Sequence, residues 1–163
     1  MSLFSEIILF YIYKMKSFIV DLKTGLSNEK LVLKILRAYF NRDIRHTKYA
    51  YSKYDFYDTE NLYELKTRNN LFNTFKTTLI AEDKIIDTPK SQYFIFSYTD
   101  KLAYIKYDKD VFKNFEIKPF CRDERIDYTD NLKNYIYIPI DTLTIIPTER
   151  KHKCMINVDE LLY

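Results

Sequence analysis

The first clear pattern along the chain is a helical spacing of apolar residues. The segment from Thr24 to Asn28 predicts a turn followed by a helix start, with Ser27 or Asn28 as the capping residue. Apolar positions then recur every three or four residues as far as Phe40. They are Val32, Ile35, Leu36, Tyr39 and Phe40. We therefore predict an amphipathic helix that ends at about Phe40.

The pattern changes to alternation between Arg45 and Arg68. Aromatic and β-branched residues alternate there with polar ones, which is typical of strands, and Asp58-Thr59-Glu60-Asn61 interrupts them as a turn. From Leu71 to Ile86 the apolar residues return to a spacing close to helical, although several threonines weaken it. We predict a β-hairpin followed by a second helix.

Further strands are predicted in the second half of the chain. Tyr93–Tyr98 and Leu102–Tyr107 are two strand-like runs joined by a short turn at residues 99–101. The runs Tyr135–Ile140 and Leu143–Ile146 follow, with a short end segment at Val158–Tyr163. The order of helix, strands, helix and strands predicts an α/β or α+β sandwich.

Size and composition narrow the class of protein. A chain of 163 residues with 47% hydrophobic and 30% charged residues fits one globular domain over residues 1–163. The apolar run Ile7–Tyr13 is too short to span a bilayer, so we expect no membrane anchor and interpret the run as a strand, a helix or an extension ahead of Met15. Two cysteines favour a reducing, cytoplasmic compartment.

The hairpin brings three charged residues together. If residues 58–61 form a four-residue loop, Tyr57 faces Leu62, and two positions further along the strands Asp55 faces Glu64. Opposed residues of an antiparallel pair point to the same face of the sheet. Lys66 lies two residues beyond Glu64 and shares that face. The sequence therefore predicts two carboxylates and one ammonium group in contact.

Such a cluster suits a hard divalent cation. Like charges directly opposite each other destabilise a sheet, and a metal ion resolves that conflict. Mg²⁺ prefers one or two carboxylates, water and phosphate oxygens, and the backbone carbonyl of Leu65 offers another oxygen. The alternative is a solvated hairpin face with ordinary salt bridges, in which each pair contributes about 0–1 kcal/mol.

These residues resemble a known nuclease signature. Tyr54-Asp55-Phe56, a turn and then Tyr63-Glu64-Leu65-Lys66 are similar to the motif of the PD-(D/E)XK nuclease superfamily, without its proline. The resemblance covers about residues 27–107. It implies a restriction-endonuclease-like sandwich, with a central mixed β-sheet and flanking helices. It also implies a Mg²⁺- or Mn²⁺-dependent nuclease with Asp55, Glu64 and Leu65 as metal ligands and Lys66 assisting the attacking water.

Other residues are secondary candidates for the same site. Many members of the superfamily have an acidic residue on the first helix, and Glu29 is its counterpart here, facing the sheet. Arg68, Lys76 and Lys84 are candidates for phosphate contacts. Asp58 is a rival ligand to Asp55, although a turn aspartate usually caps its own backbone. The glutamine and tyrosine of the RecB-like branch have no counterpart on the second predicted helix, since Gln92 lies beyond it.

The functional expectation is a DNA endonuclease that acts on nucleic acid as a monomer or a homodimer. The Tyr- and Asn-rich composition of the chain resembles that of proteins from large DNA viruses, which suggests that the protein is located in the host cytoplasm or in a virion. Two other classes remain open. One is a non-catalytic nucleic-acid-binding or virion-associated protein on the same fold, and the other is a structural protein whose hairpin charges only keep it in solution. His46 and His152 form no metal-ligand pair or triad in the sequence, although His46 precedes the motif closely enough to approach it.

Overall fold

Nine strands and two helices make up the part of the chain that the structure describes. The structure is a computed structural model and describes residues 28–49, 52–121 and 132–148. Helix α1 spans residues 28–40 and helix α2 spans Lys109–Phe112. The strands are β1 (Arg45–His46), β2 (Phe56–Tyr57), β3 (Asn61–Thr67), β4 (Thr77–Ala81), β5 (Ser91–Ser97), β6 (Leu102–Lys106), β7 (Glu116–Cys121), β8 (Leu132–Pro139) and β9 (Thr144–Ile146).

The strands form a large mixed sheet and a small antiparallel one. The central sheet has the order β1-β2-β3-β5-β6-β9, and β3 and β5 are its parallel neighbours. The small sheet has the order β4-β8-β7. Because β3 and β5 are parallel, the chain between them must cross over, and β4 lies on that crossover. The protein therefore has a mixed α/β fold with few helices.

Two hydrophobic clusters cover the two faces of the central sheet. On one face, Val32 and Leu36 of α1 pack with Tyr63, Leu65 and Ile95. On the other face, Phe94 and Phe96 of β5 pack with residues of the small sheet, including Ile80, Ile136 and Ile138. Alternate residues of β5 thus point into different clusters, as the strand period of two requires. The layers are helix, central sheet and small sheet.

The structure confirms the first predicted helix over the residues it describes. Val32 and Leu36 are fully buried, while Ile35 and Phe40 are partly buried against the same cluster. Tyr39 was placed on the apolar stripe but is 41% exposed, and its ring contacts Phe40 and Tyr104 from the edge of the helix. Ser27, one of the two capping candidates, lies outside the described residues.

The second predicted helix, Leu71–Ile86, is wrong. A 3₁₀ turn at Phe72–Thr74, strand β4 and a 3₁₀ turn at Glu82–Lys84 occupy this segment. Thr77 and Thr78 are β-branched and favour extended backbone. Strand β4 pairs along its whole length with β8, from Thr77 opposite Pro139 to Ala81 opposite Tyr135. Pairing with a partner far along the chain therefore outweighs the local helical spacing.

The predicted strands of the second half are confirmed. The β5–β6 hairpin pairs Ser97 with Leu102, and the N–H of Tyr98 closes its turn on the Lys101 carbonyl at 2.8 Å. Strands β8 and β9 lie where strand patterns were found. The segments Ile7–Tyr13 and Val158–Tyr163 lie outside the described residues. Among the helices of the described part, none is long and apolar enough to cross a membrane.

Candidate active site

Asp58 holds the turn of the β2–β3 hairpin in place. Its carboxylate accepts hydrogen bonds from the backbone N–H groups of Glu60 and Asn61, both at 2.8 Å, and from the Tyr63 hydroxyl at 2.8 Å. Burial alone would raise the pKa of Asp58, but the bonds from Asn61, Glu60 and Tyr63 outweigh it and hold the pKa below its ordinary value. The Asp58 carboxylate therefore caps the backbone of the turn, as a turn aspartate usually does.

The register predicted for this hairpin holds near the turn and shifts at Asp55. Tyr57 faces Leu62 and Phe56 faces Tyr63, as the four-residue loop requires. The N–H of Asp55, however, donates to the carbonyl of Tyr63 at 2.9 Å, so that Asp55 and Phe56 both face the same residue. Two residues facing one is the arrangement of a β-bulge, which re-aims a side chain. Asp55 is therefore not paired with Glu64 in the ladder, contrary to the prediction.

The bulge brings the Asp55 carboxylate into the plane of the sheet. The N–H of Leu65 donates to Asp55 Oδ2 at 2.6 Å, in the place where a longer β2 would offer a backbone carbonyl. One residue's N–H and C=O point to the same side of a strand. The Leu65 carbonyl therefore points to the side of β3 where Asp55 lies. The backbone groups of Glu60 and Arg68, at even-numbered positions like Glu64, point to the opposite side, where they bond to Ser91 and Ser97.

Asp55 is electrostatically strained as a carboxylate. Its pKa is raised from the ordinary value of 3.8 to about 6, first because the group is buried and then because the Glu64 carboxylate is close. The bond from Leu65 N–H opposes this shift, and the charge of Glu29 adds to it. A residue whose pKa is raised by burial and by neighbouring carboxylates is typical of a site that a cation completes.

Glu64 is buried and shared by two lysines. Its exposed fraction is 5%, and its Oε1 lies 2.5 Å from Lys66 Nζ and 2.8 Å from Lys84 Nζ. Its other oxygen, Oε2, is buried and lacks a hydrogen-bond partner among the described residues. A buried carboxylate oxygen without a partner loses the solvation it had in water, which is costly. Glu64 therefore retains an unused acceptor in the middle of the candidate site.

Glu64 and Glu29 approach Asp55 from opposite faces of the sheet. Tyr63 and Leu65 point into the cluster under α1, so the intervening Glu64 points to the other face, as Lys66 does. Glu29 stands on α1 and bonds His46 on β1, with its Oε2 2.6 Å from His46 Nε2. Of the three residues predicted to meet, Glu64 and Lys66 are in contact at 2.5 Å. Asp55 is linked to Glu64, and likewise to Glu29, through the effect of their charges on its pKa.

His46 is the residue that the sequence did not single out as functional. Its Nδ1 lies 2.6 Å from the Thr47 carbonyl oxygen, and its ring packs edge-on against Phe56 at 5.5 Å. The bond to Glu29, then that to Thr47 and the charges of Glu29 and Asp55 raise the pKa of His46 despite partial burial. The feature of the sequence that could have indicated His46 is its position on the strand before the motif, which the structure pairs with Phe56, next to Asp55.

Replacing Glu29 with Gln is expected to lower the pKa of His46, because the largest factor that raises it is the bond to the Glu29 carboxylate. NMR titration of the imidazole protons measures this, and the sequence has only two histidines, so loss of a signal in His46→Gln assigns it. Glu60→Gln is the matched control, since Glu60 pairs with Arg42 at 2.7 Å. An unchanged titration in Glu29→Gln would contradict the contact.

The three candidates for phosphate contact occupy different environments. Lys84 contacts Glu64, as described above. Arg68 donates from Nε to Thr78 Oγ1 at 3.2 Å and from its guanidinium group to the Leu79 carbonyl, and it lies over the Phe96 ring. Lys76 is exposed just ahead of β4, and its carbonyl accepts from Ile140 N–H at 3.0 Å. The structure thus brings Lys84, but not Lys76, to the candidate site.

The types of oxygen donor present at the candidate site suit a divalent cation, although they do not form a complete set of ligands. Within residues 28–49, 52–121 and 132–148, no three His, Cys, Asp or Glu side chains converge closely enough to hold a metal ion. Asp55 and Glu64 are nevertheless hard oxygen donors whose charges repel, and Glu64 Oε2 has no hydrogen-bond partner in the part of the chain that the structure describes. Mg²⁺ is usually held by one or two carboxylates and completes its shell with water and substrate oxygens. The donor set therefore suits Mg²⁺ or Mn²⁺.

No protein-family profile, no curated protein and no solved structure matches the chain.

Proposed function

We propose that this protein is a Mg²⁺- or Mn²⁺-dependent nuclease that hydrolyses phosphodiester bonds in DNA, as an endonuclease. The observation that supports it best is Glu64, a buried carboxylate with one oxygen between two lysines and the other without a hydrogen-bond partner among the described residues. Asp55, raised in pKa beside it, supplies the second carboxylate.

Each residue has a task in this proposal. Asp55 and Glu64, with the Leu65 carbonyl, would hold the cation, which would lower the pKa of a bound water and neutralise charge on the phosphate. Lys66 lies beside Glu64 and orients the attacking water or stabilises the pentavalent transition state through its ammonium group. Lys84 contacts the same oxygen from the crossover segment and would bind a phosphate oxygen of the substrate. Glu29 adds negative charge near Asp55, and His46 pairs with Glu29 at 2.6 Å.

We further propose that the fold is a variant of the restriction-endonuclease-like sandwich. The features that support this are the β1–β2–β3 meander with the acidic residues, the parallel strand β5 beside β3 and the helix α1 on one face. The second helix of that core is replaced here by β4, which pairs into the small sheet. The replacement leaves Lys84 at the end of the crossover, next to Glu64.

The direct test is cleavage of supercoiled plasmid, linear duplex DNA, single-stranded DNA and RNA with Mg²⁺, Mn²⁺ or EDTA. We expect metal-dependent cleavage of DNA that is lost in EDTA and in Asp55→Ala and Lys66→Ala. Thermal unfolding offers a readout independent of activity. Since a ligand that binds only the folded state stabilises it, Mn²⁺ should raise the melting temperature of the wild type but not of Glu64→Gln. Cleavage by the variants at the wild-type rate would refute the assignment.

A second candidate function is a non-catalytic nucleic-acid-binding or virion-associated protein. The observation in its favour is that Lys66 and Lys84 already neutralise Glu64, so the buried carboxylate is balanced without a metal. This candidate predicts DNA binding that is equal in EDTA and in Mg²⁺, no cleavage and no stabilisation by Mn²⁺. The location of the protein in the host cytoplasm or a virion and its assembly as a homodimer remain proposals that accompany either candidate.

A further inference from the structure

A groove of about 690 Å³ begins at the candidate site and continues along the small sheet. Lys66 and Lys84, which both contact Glu64, line it at one end. Its lining continues through Arg68 and Thr78 to Tyr135 and Tyr137 of β8. The groove therefore shares the two lysines that contact Glu64 with the candidate site and extends to β7 and β8, which lie beyond the residues of the nuclease resemblance.

The sheet side of this groove is unusually aromatic. Ile136 and Ile138 of β8 point into the core, so Tyr135 and Tyr137 point outward on the opposite face. Phe120 of β7 lies on the same face, opposite Lys133 and edge-on to Tyr135 at a ring distance of 5.6 Å. Phe120 is 41% exposed, and Phe75 across the groove is 63% exposed. Large apolar rings that remain in contact with water offer flat surfaces for a ligand.

The charged residues of the groove favour an anionic ligand. Among the described residues that line it, the basic side chains are Lys66, Arg68, Lys84 and Lys133, and the acidic one is Asp83. Asp83 pairs with Lys133 at 2.9 Å and is more than half exposed. Basic side chains beside aromatic rings are the combination that binds single-stranded nucleic acid, because phosphates meet the cations and unpaired bases stack on the rings.

We propose that this groove binds a single-stranded segment of DNA and delivers it to Glu64 and Asp55. Stacking on Tyr135, Tyr137 and Phe120 requires bases that are free of a duplex, so the preferred substrate has a single-stranded or flapped part. The inference rests on the proposed nuclease function for its substrate, but binding itself needs only the groove. Its test is therefore a binding measurement without metal.

The first experiment measures binding of a fluorescein-labelled oligo-dT of about 12 nucleotides by fluorescence polarisation in EDTA. We expect the double variant Tyr135→Ala/Tyr137→Ala to bind at least about tenfold more weakly, and the matched Tyr135→Phe/Tyr137→Phe to bind within about twofold of wild type. Tyr49→Ala, at a residue 80% exposed and outside the groove, is the control for loss of a surface tyrosine. Equal binding by the double alanine variant would overturn the proposal.

A pair of variants at the Lys133–Asp83 contact separates binding from folding. Both Lys133→Gln and Asp83→Asn break the same ion pair, so any effect on stability is common to both. We expect Lys133→Gln to weaken binding about threefold and Asp83→Asn to strengthen it about threefold, since the first removes a cation and the second an anion. Shifts in the same direction would overturn the electrostatic argument.

The competitor nucleic acids and the cleavage assay complete the test. Duplex DNA or oligo-U that competes better than oligo-dT would overturn the assignment to single-stranded DNA. Failure of the proposed function has a different signature, in which oligo-dT binds in EDTA with the expected variant effects but no DNA is cut in Mg²⁺ or Mn²⁺. If Tyr135→Ala/Tyr137→Ala instead cuts DNA at the wild-type rate, the proposal that the groove binds the substrate is overturned, and the nuclease assignment is intact.

Discussion

Replacing Glu64 with Gln is expected to slow Mg²⁺-dependent cleavage of plasmid DNA by roughly 10²–10³-fold, the cost of removing one preorganised electrostatic group. An amide retains the shape of the side chain, but it does not neutralise a divalent cation. It also leaves Lys66 and Lys84 without the anion that holds them 2.5 and 2.8 Å from Oε1. Initial rates of supercoiled plasmid nicking measure the loss.

The same variant is expected to be less stable, and that effect must be separated from catalysis. Removing one partner from a buried ion pair leaves the other charge uncompensated, and we expect a loss of about 2 kcal/mol because both lysines remain partly exposed. Cleavage should therefore be measured well below the melting temperature. Glu82→Gln is the control, since Glu82 is an exposed acid that bonds Asn134 Nδ2 at 3.1 Å. If the Glu64→Gln protein cuts DNA at a rate within a few-fold of wild type, Glu64 has only a structural role as the partner of the two lysines.

The sequence was sufficient to predict the hairpin because its determinants are local. The length of the turn and the capping side chain of Asp58 determine which residues face each other, and both can be read from residues 58–61. The bulge at Asp55 could not be predicted in this way. It depends on β2 beginning only at Phe56 and on the Asp55 carboxylate accepting from the Leu65 N–H. The pairing near the turn was thus predictable, whereas the position of the Asp55 carboxylate was not.

The segment from Leu71 to Ile86 was mispredicted because its structure is set by distant residues. Its apolar positions have a nearly helical spacing, but Ile80 is buried against Ile136 and Ile138 of β8, more than fifty residues later in the chain. Lys84 reaches Glu64 only as a consequence of this strand and the 3₁₀ turn after it. Lys84 was a candidate for phosphate contact from the sequence, but its contact with Glu64 and the groove along the small sheet could not be predicted for that reason.

Asp55→Asn is expected to stabilise the metal-free protein at pH 8 by up to about 3 kcal/mol, the opposite sign to Glu64→Gln. The pKa of Asp55 is raised from 3.8 to about 6 in the folded protein, which corresponds to that free energy once the group is ionised. The stabilising effect of the protonated form is complete below about pH 4 and is lost as the pH rises through 6. Asparagine avoids this loss, and its side-chain oxygen can still accept from the Leu65 N–H.

The measurement is the free energy of unfolding in EDTA from urea titrations between pH 4 and 8. Wild type and Asp55→Asn should have equal free energies of unfolding near pH 4, and the two values should diverge as the pH rises to 6. Asp43→Asn, which removes an exposed carboxylate paired with Arg45, should show no such divergence from wild type. Addition of Mn²⁺ at pH 8 should reduce the advantage of Asp55→Asn, because a cation relieves the repulsion that the substitution removes. If Asp55→Asn is instead less stable than wild type at pH 8, the ionised Asp55 is a stabilising structural group. The repulsion between Asp55 and Glu64 would then no longer be a reason to place a metal ion between them.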